Sequence, residues 1–379
     1  MLNVLLLMKL ALDFLSAQRG AAFVLCLLVS LFIVVRTRVV AIDNPGAMRA
    51  LVAFLVVTLM AYLQSGSTDQ AVKYLGLALL AVAIPLYLKH HPTEHILASA
   101  TTLLWANLLF SAVCILRSMA AGLYGEREFQ PFEHANLFGS YILSAVPLLF
   151  VVESRTGFSW TYRLILIVLA WASTSTGTGV LSLLLLVNFS RISSAALIRT
   201  VLMSVLLVVA SESVLRFANP ELHVKIFSPF SFFTDFGWNT LFLAARSGYS
   251  LYDFGPEYSS SLTWRIYAYV VFLSHVASSP MFDIIFGAGF SGYQSIWNGY
   301  MPHNDFILTL VDFGLVGIGV LTYVLLRSTR FVLHHPELIG LVPIVVFRLM
   351  FENNIYSFYL MSSLVINASF LVMAYRSAR

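Results

Sequence analysis

Charge is scarce in this chain. Only 11% of its 379 residues are Asp, Glu, Lys or Arg, while 59% are hydrophobic and mean hydropathy is +0.86. That composition lies far from the soluble average. No stretch is both long and polar enough for a separate soluble domain, so one membrane domain over residues 1–379 is expected. Cysteine is nearly absent: Cys26 and Cys114 both fall in apolar runs, which excludes a disulfide framework or a cysteine metal site. No H-E-x-x-H spacing occurs, so no metal and no cofactor is expected. The polar run Ser173-Thr-Ser-Thr-Gly-Thr-Gly179 has no phosphate-loop lysine, so it is not read as nucleotide-binding. The net charge of +4 is small and is read as a topology signal, with no nucleic-acid partner. No internal repeat is visible.

Long apolar runs are present instead. Twelve can be counted, with cores at Leu2–Ser16, Ala21–Val35, Ala50–Leu63, Leu75–Leu88, Leu97–Leu116, Leu137–Val152, Leu164–Ala172, Val180–Val187, Leu197–Ala210, Phe306–Leu326, Ile339–Met350 and Tyr356–Met373. At about 20 residues per span, an all-α protein of about 12 transmembrane helices is expected, its first helix retained. The seventh and eighth runs are short and flank the Ser173–Gly179 stretch, as two short spans or one broken helix pair. With the N-terminus inside, the cytoplasmic short loops hold twelve Lys and Arg and the outer ones four. That bias puts both termini in the cytoplasm. One long outer loop remains, residues 211–301, with eleven aromatics from Phe227 to Tyr258. These rings suit a membrane-interface belt or a sugar groove, since a flat ring stacks on the apolar face of a pyranose. Within the loop, Leu262–Ala277 reads as an amphipathic interfacial helix.

The tenth run opens with Pro302, His303, Asn304 and Asp305 and continues through Asp312, Gly314, Gly317 and Gly319. The histidine and asparagine are placed at a wet helix mouth. The glycines are expected to form a small face for a neighbouring backbone, and Asp312 to bond another span. On the same outer face the topology gathers Arg127, Arg246, Arg265, His303 and Arg348, the last followed by Glu352. A guanidinium is planar, forked and permanently charged, so several together suit a diphosphate without a metal. Singly, a loop arginine is more often a solvated or headgroup contact, and Glu352 could simply neutralise Arg348. Apart from Lys9, Asp13 and Asp312, charges near the spans gather at their ends.

These residues resemble a family. His303-Asn304, nine residues, Gly314, two residues and Gly317 look like the H-N-x9-G-x2-G signature of the O-antigen ligase and O-antigen polymerase (Wzy type) superfamily. Upstream, Ser261-Leu-Thr-Trp-Arg265, then Phe286-Gly-Ala-Gly-Phe-Ser-Gly292, follow its S-G-R-x-x-x-W and G-x-G-x-G order. His134-Ala-Asn136-Leu-Phe-Gly139 resembles its P-N-x-x-A turn, and Ser173–Gly179 stands at its T-x-S-R-x-G break. Trp264 precedes Arg265 instead of following it, Thr176 replaces the break's Arg, Ala135 replaces the Pro, and Gly292 falls one residue late. The resemblance covers Arg127 to Gly319, about half the chain. It implies a metal-independent, inverting glycosyltransferase of the GT-C membrane type in the bacterial inner membrane. Its donor and acceptor would be undecaprenyl-diphosphate-linked oligosaccharides for lipopolysaccharide or exopolysaccharide biosynthesis, with membrane lipids and a chain-length regulator as further partners. Arg265, with Arg127, would bind the diphosphate, and His303 would orient or deprotonate the acceptor hydroxyl. Arg246, Arg348, Asn304, Asn136 and Glu352 are the remaining candidates for substrate contact. Repeat-unit polymerisation is the leading expectation. Ligation to lipid A core, or transport of the same lipid-linked sugars, are the alternatives.

Overall fold

The computed structural model describes residues 2–13, 19–37, 45–132, 134–187, 220–255, 258, 261–297, 299–351, 354 and 356–376. Among them there is no strand. The helices are α1 (Leu2–Asp13), α2 (Arg19–Thr37), α3 (Pro45–Ser65), α4 (Thr68–Lys89), α5 (Thr93–Ala120), α6 (Ala135–Ser144), α7 (Val146–Thr156), α8 (Trp160–Ala172), α9 (Thr176–Ser182), α10 (Pro220–Arg246), α11 (Ser261–Ser278), α12 (Met281–Phe286), α13 (Asp305–Leu333), α14 (Leu341–Phe351) and α15 (Phe358–Arg376). Eleven of the twelve expected apolar runs coincide with helices. The run Leu197–Ala210 lies outside the described residues.

Six stretches among the described residues are long and apolar enough to cross a membrane: Met48–Ser65, Thr68–Lys89, Thr93–Ala120, Ala135–Thr156, Asp305–Leu333 and Phe358–Arg376. The chain is therefore read as a membrane protein, with six such helices described where about twelve were expected. Their surroundings differ. The α6–α7 stretch is 89% buried and forms the centre of the bundle, whereas Met48–Ser65 is 17% buried and turns most of its apolar surface outward, as lipid requires. Pro147 lacks an N–H, so the α6–α7 stretch is interrupted at Ala145 and restarts with proline in its first turn. The main core joins residues of α1, α2, α4–α9 and α13–α15.

Two buried ion pairs brace this bundle. Lys9 and Asp13 pair at 2.5 Å within α1. The Lys9 ammonium also donates to the Ser363 hydroxyl at 2.6 Å, joining α1 to α15. Arg163 of α8 holds Glu153 of α7 through two parallel bonds of 2.8 and 2.6 Å.

The expected outer loop is itself helical. Helices α10 and α11 pack together with a core of Phe232, Leu241, Leu251, Tyr258, Tyr267, Val270 and Val271. The interfacial helix expected at Leu262–Ala277 is α11. It buries Tyr267, Ala268, Val270, Val271 and Phe272, some against α10 and others against the turn and helix around His303.

Candidate functional site

The mouth of α13 is built by its cap. Asn304 is extended, and its Oδ1 accepts from the backbone N–H groups of Phe306 at 2.9 Å and Ile307 at 3.1 Å. This fills donors that every helix start leaves open. Before it, His303 takes φ +49°, which swings the chain sharply into the helix. After it, the fully buried Asp305 carboxylate sits at the positive end of the helix dipole. Its Oδ2 accepts from the Asn354 backbone N–H at 3.1 Å and amide at 2.9 Å. The same amide donates to the Arg348 carbonyl at 2.8 Å. One carboxylate and one amide thus fasten the histidine turn to the end of α14.

Helix α13 does not run on unbroken. Gly314 has φ +63°, and a Cβ there would lie 2.3 Å from the Ile285 carbonyl oxygen. Gly287, at φ +82°, faces it, and a Cβ there would lie 2.3 Å from the Asp312 carbonyl. Only glycine permits both the left-handed backbone and this approach. The break turns the Val311 and Asp312 carbonyls outward, where they accept from Ala288 N–H at 2.8 Å and Gly289 N–H at 3.0 Å. Of the small face expected to admit a neighbouring backbone, Gly314 alone does so. Gly314 meets the 285–287 turn, a Cβ at Gly317 would meet its own helix's Phe313, and Gly319 faces open space. The Asp312 carboxylate lies beside the N–H groups of Ser291, Gly292 and Tyr293. It accepts the Tyr356 hydroxyl, which in turn accepts from Ser291 N–H at 2.8 Å. These bonds pin the turn that leads to His303.

Helix α11 covers the mouth. The Tyr269 hydroxyl donates to the Met350 carbonyl at 2.7 Å and lies 3.4 Å from the His303 carbonyl. The Trp264 ring meets the His303 imidazole edge-on at 5.3 Å between centroids. Arg265 follows Trp264 directly and stands one turn before Tyr269, on the same helix face.

The second half of the site is the break between α8 and α9. Thr174 has φ +56° and Arg127 φ +63°, and the Arg127 Nη2 donates to the Thr174 carbonyl at 2.9 Å. Ser175 Oγ donates to Asn136 Oδ1 at 2.9 Å, and Thr178 Oγ1 to Ser175 Oγ at 2.9 Å. Arg348, in α14, donates to Thr178 Oγ1 at 3.3 Å, to the Asn136 carbonyl at 2.7 Å and to Ser140 Oγ. The run Ser173–Gly179 is thus a hydroxyl-lined break between two short helices.

The structure links His303, Asn304, Arg348, Asn136 and Arg127 through shared partners at one end of the bundle, and Arg265 lies on α11 between Trp264 and Tyr269, which contact the His303 turn. It places Arg246 elsewhere. Its Nε donates to Ser274 at 3.2 Å, nine residues along α11 from Arg265, which is about 13 Å of helix rise. Glu352 lies outside the described residues. Among the described residues the four non-glycine positions with positive φ are Arg127, Thr174, Ser291 and His303. All four belong to these segments, and such strain concentrates where a surrounding structure enforces it.

Sequence reasoning gave no role to Ser140, Thr178, Tyr269, Trp297, Tyr300, Asn354 or Tyr356. Asn354 carried a signal, a second amide beside a charge in an apolar context; the hydroxyls carried none. The aromatic-rich loop divides in two. Phe232, Phe236, Phe254 and Tyr258 pack on one another, while Phe230, Trp238, Tyr249 and Tyr252 are exposed.

No family model matches this chain, and no curated protein matches its sequence.

Proposed function

We propose that this chain is a membrane glycosyltransferase that polymerises undecaprenyl-diphosphate-linked oligosaccharide units on the periplasmic face of a bacterial inner membrane, within an outline of about twelve spans. The observation that supports this most is the clasp Asp305–Asn354–Arg348. It fastens the turn that carries His303 to the main chain of Arg348, whose guanidinium lies beside a hydroxyl-lined break.

That arrangement suits displacement at an anomeric carbon. The acceptor hydroxyl attacks, a new C–O bond forms, and the bond from the anomeric carbon to the diphosphate oxygen breaks with its electron pair leaving on the diphosphate. His303 takes the hydroxyl proton as general base. Arg265, Arg127 and Arg348 stabilise the charge that gathers on the leaving diphosphate. A diphosphate is already an adequate leaving group, so positioning and charge stabilisation supply the catalysis.

The test offers purified protein a single lipid-linked repeat unit. Longer lipid-linked chains are the expected product. A product seen only after core lipid is added makes the protein a ligase. Movement of the intact unit across a vesicle without any new glycosidic bond makes it a transporter and ends the enzymatic reading.

A further inference from the structure

Three rings from two separate segments meet beside the imidazole. Trp264 comes from α11. Trp297 and Tyr300 come from the turn between the Gly292–Ser295 single-turn helix and Pro302. Trp264 and Trp297 are stacked, 5.5 Å between centroids and 24° between planes. Tyr300 meets Trp264 at 6.2 Å and Trp297 at 5.3 Å. The His303 ring closes the group at 5.3 Å from Trp264. The turn that carries Trp297 and Tyr300 is held from below. Tyr293 is buried, Ile296 N–H donates to the Tyr293 carbonyl at 3.1 Å, and Tyr300 N–H donates to the Trp297 carbonyl at 2.8 Å. Tyr300 itself is 55% exposed, while both indoles are partly buried against the α10–α11 core. An aromatic cluster therefore adjoins the imidazole through Trp264 and presents its Tyr300 ring to the exterior.

We infer that Trp264, Trp297 and Tyr300 form a pyranose-binding platform that seats the acceptor sugar against His303. A pyranose presents an apolar C–H face and a rim of hydroxyls. The exposed Tyr300 ring and the partly exposed indoles offer apolar ring surface to that face, and the imidazole, edge-on to Trp264, suits the hydroxyl rim. An acyl chain would match the rings and leave the polar edge unused. The exposed rings Phe230, Trp238 and Tyr252 belong to α10 and the turn after it, outside this group. The inference rests on the glycosyl-transfer reading for the role of His303, and the binding claim can be tested apart from it.

The experiment uses the whole protein in nanodiscs. In the transfer assay, Trp297→Ala and Tyr300→Ala should raise the acceptor KM about tenfold, one ring's worth of stacking, and leave kcat within about twofold. Trp297→Phe should recover most of the loss. Independently, short unbranched hexose oligosaccharides should change tryptophan fluorescence saturably in the wild type and not in Trp297→Ala, while brominated lipids should quench Trp297 weakly. An unchanged acceptor KM in both alanine variants overturns the platform, as does strong lipid quenching that Trp297→Ala removes, which would make it a membrane anchor. Because Tyr300 is largely exposed, its alanine variant keeps the test alive should the Trp297 change unfold the protein. Sugar binding lost in Trp297→Ala, in a protein that transfers nothing, sinks the catalytic proposal and leaves the platform standing. Neither binding nor transfer sinks both.

Discussion

Two arginines of nearly equal burial, Arg163 at 4% exposed and Arg348 at 8%, lie at opposite ends of the bundle in different company. Arg163 is fastened. It pairs bidentately with Glu153, donates to the Leu185 carbonyl and has the Phe158 ring 4.0 Å from its guanidinium carbon. Arg348 donates to two hydroxyls and a carbonyl. The same side chain is thus a strut at one end and, on the proposed reading, a diphosphate contact at the other. The surroundings differ because α7 supplies a carboxylate where the α8–α9 break supplies hydroxyls.

Removing the strut should cost most. Glu153→Ala leaves a buried guanidinium without its carboxylate, a loss of about 3–5 kcal/mol, read as a fall in melting temperature and in folded yield in detergent. Should Glu153→Ala melt like the wild type, the strut description is wrong. His303→Ala tests the opposite end: glycan transfer should fall by about 10²–10⁴ with the melting temperature nearly unchanged. Full transfer in that variant removes the base role. Arg348→Lys sharpens the contrast within one residue type. A lysine cannot keep the forked contacts, so transfer should drop about 10- to 100-fold, the loss expected for a charge-assisted bond. Asp305→Ala opens the clasp and takes the acceptor from the Asn354 backbone N–H and from one amide N–H, which should cost about 1–3 kcal/mol of stability and lower transfer while the donor still binds; donor binding lost altogether would assign Asp305 to the ligand. The smallest expected effect is that of a chelator: because the reading places the leaving-group charge on arginines, transfer in excess EDTA should match the untreated rate. A loss restored by a divalent ion would revise the chemistry.

Much of the helical outline was legible in the sequence. An apolar run of sufficient length must satisfy its backbone internally, and a helix does this residue by residue. Hence eleven runs became helices close to their expected bounds, and Leu262–Ala277 became α11. The site was legible in part. His303, Arg127 and Arg348 could be named because a histidine or arginine beside an apolar run stands out, and Asn304 and Asn136 because they fall in the resembling motifs. Their connections could not, since Asp305 and Asn354 are 49 residues apart, and Arg348 and Ser140 208 apart. Arg246 shows the converse: sequence placed it with the other cations by loop, and the pairing of α10 with α11 carried it to Ser274.

The aromatic segment makes the same distinction. Composition alone said that rings were plentiful between Phe227 and Tyr258. Packing decided that Phe232 and Tyr258 fill a core, and that Trp297, from a stretch with no motif, stacks on the Trp264 ring that meets the histidine. What the sequence determined by itself is what one segment can decide alone: which runs are apolar, where helices start and stop, and which chemical groups exist. The tertiary structure decided which of those groups meet, because a buried carboxylate, a glycine break or a stacked ring is stabilised by partners that distant segments bring to it.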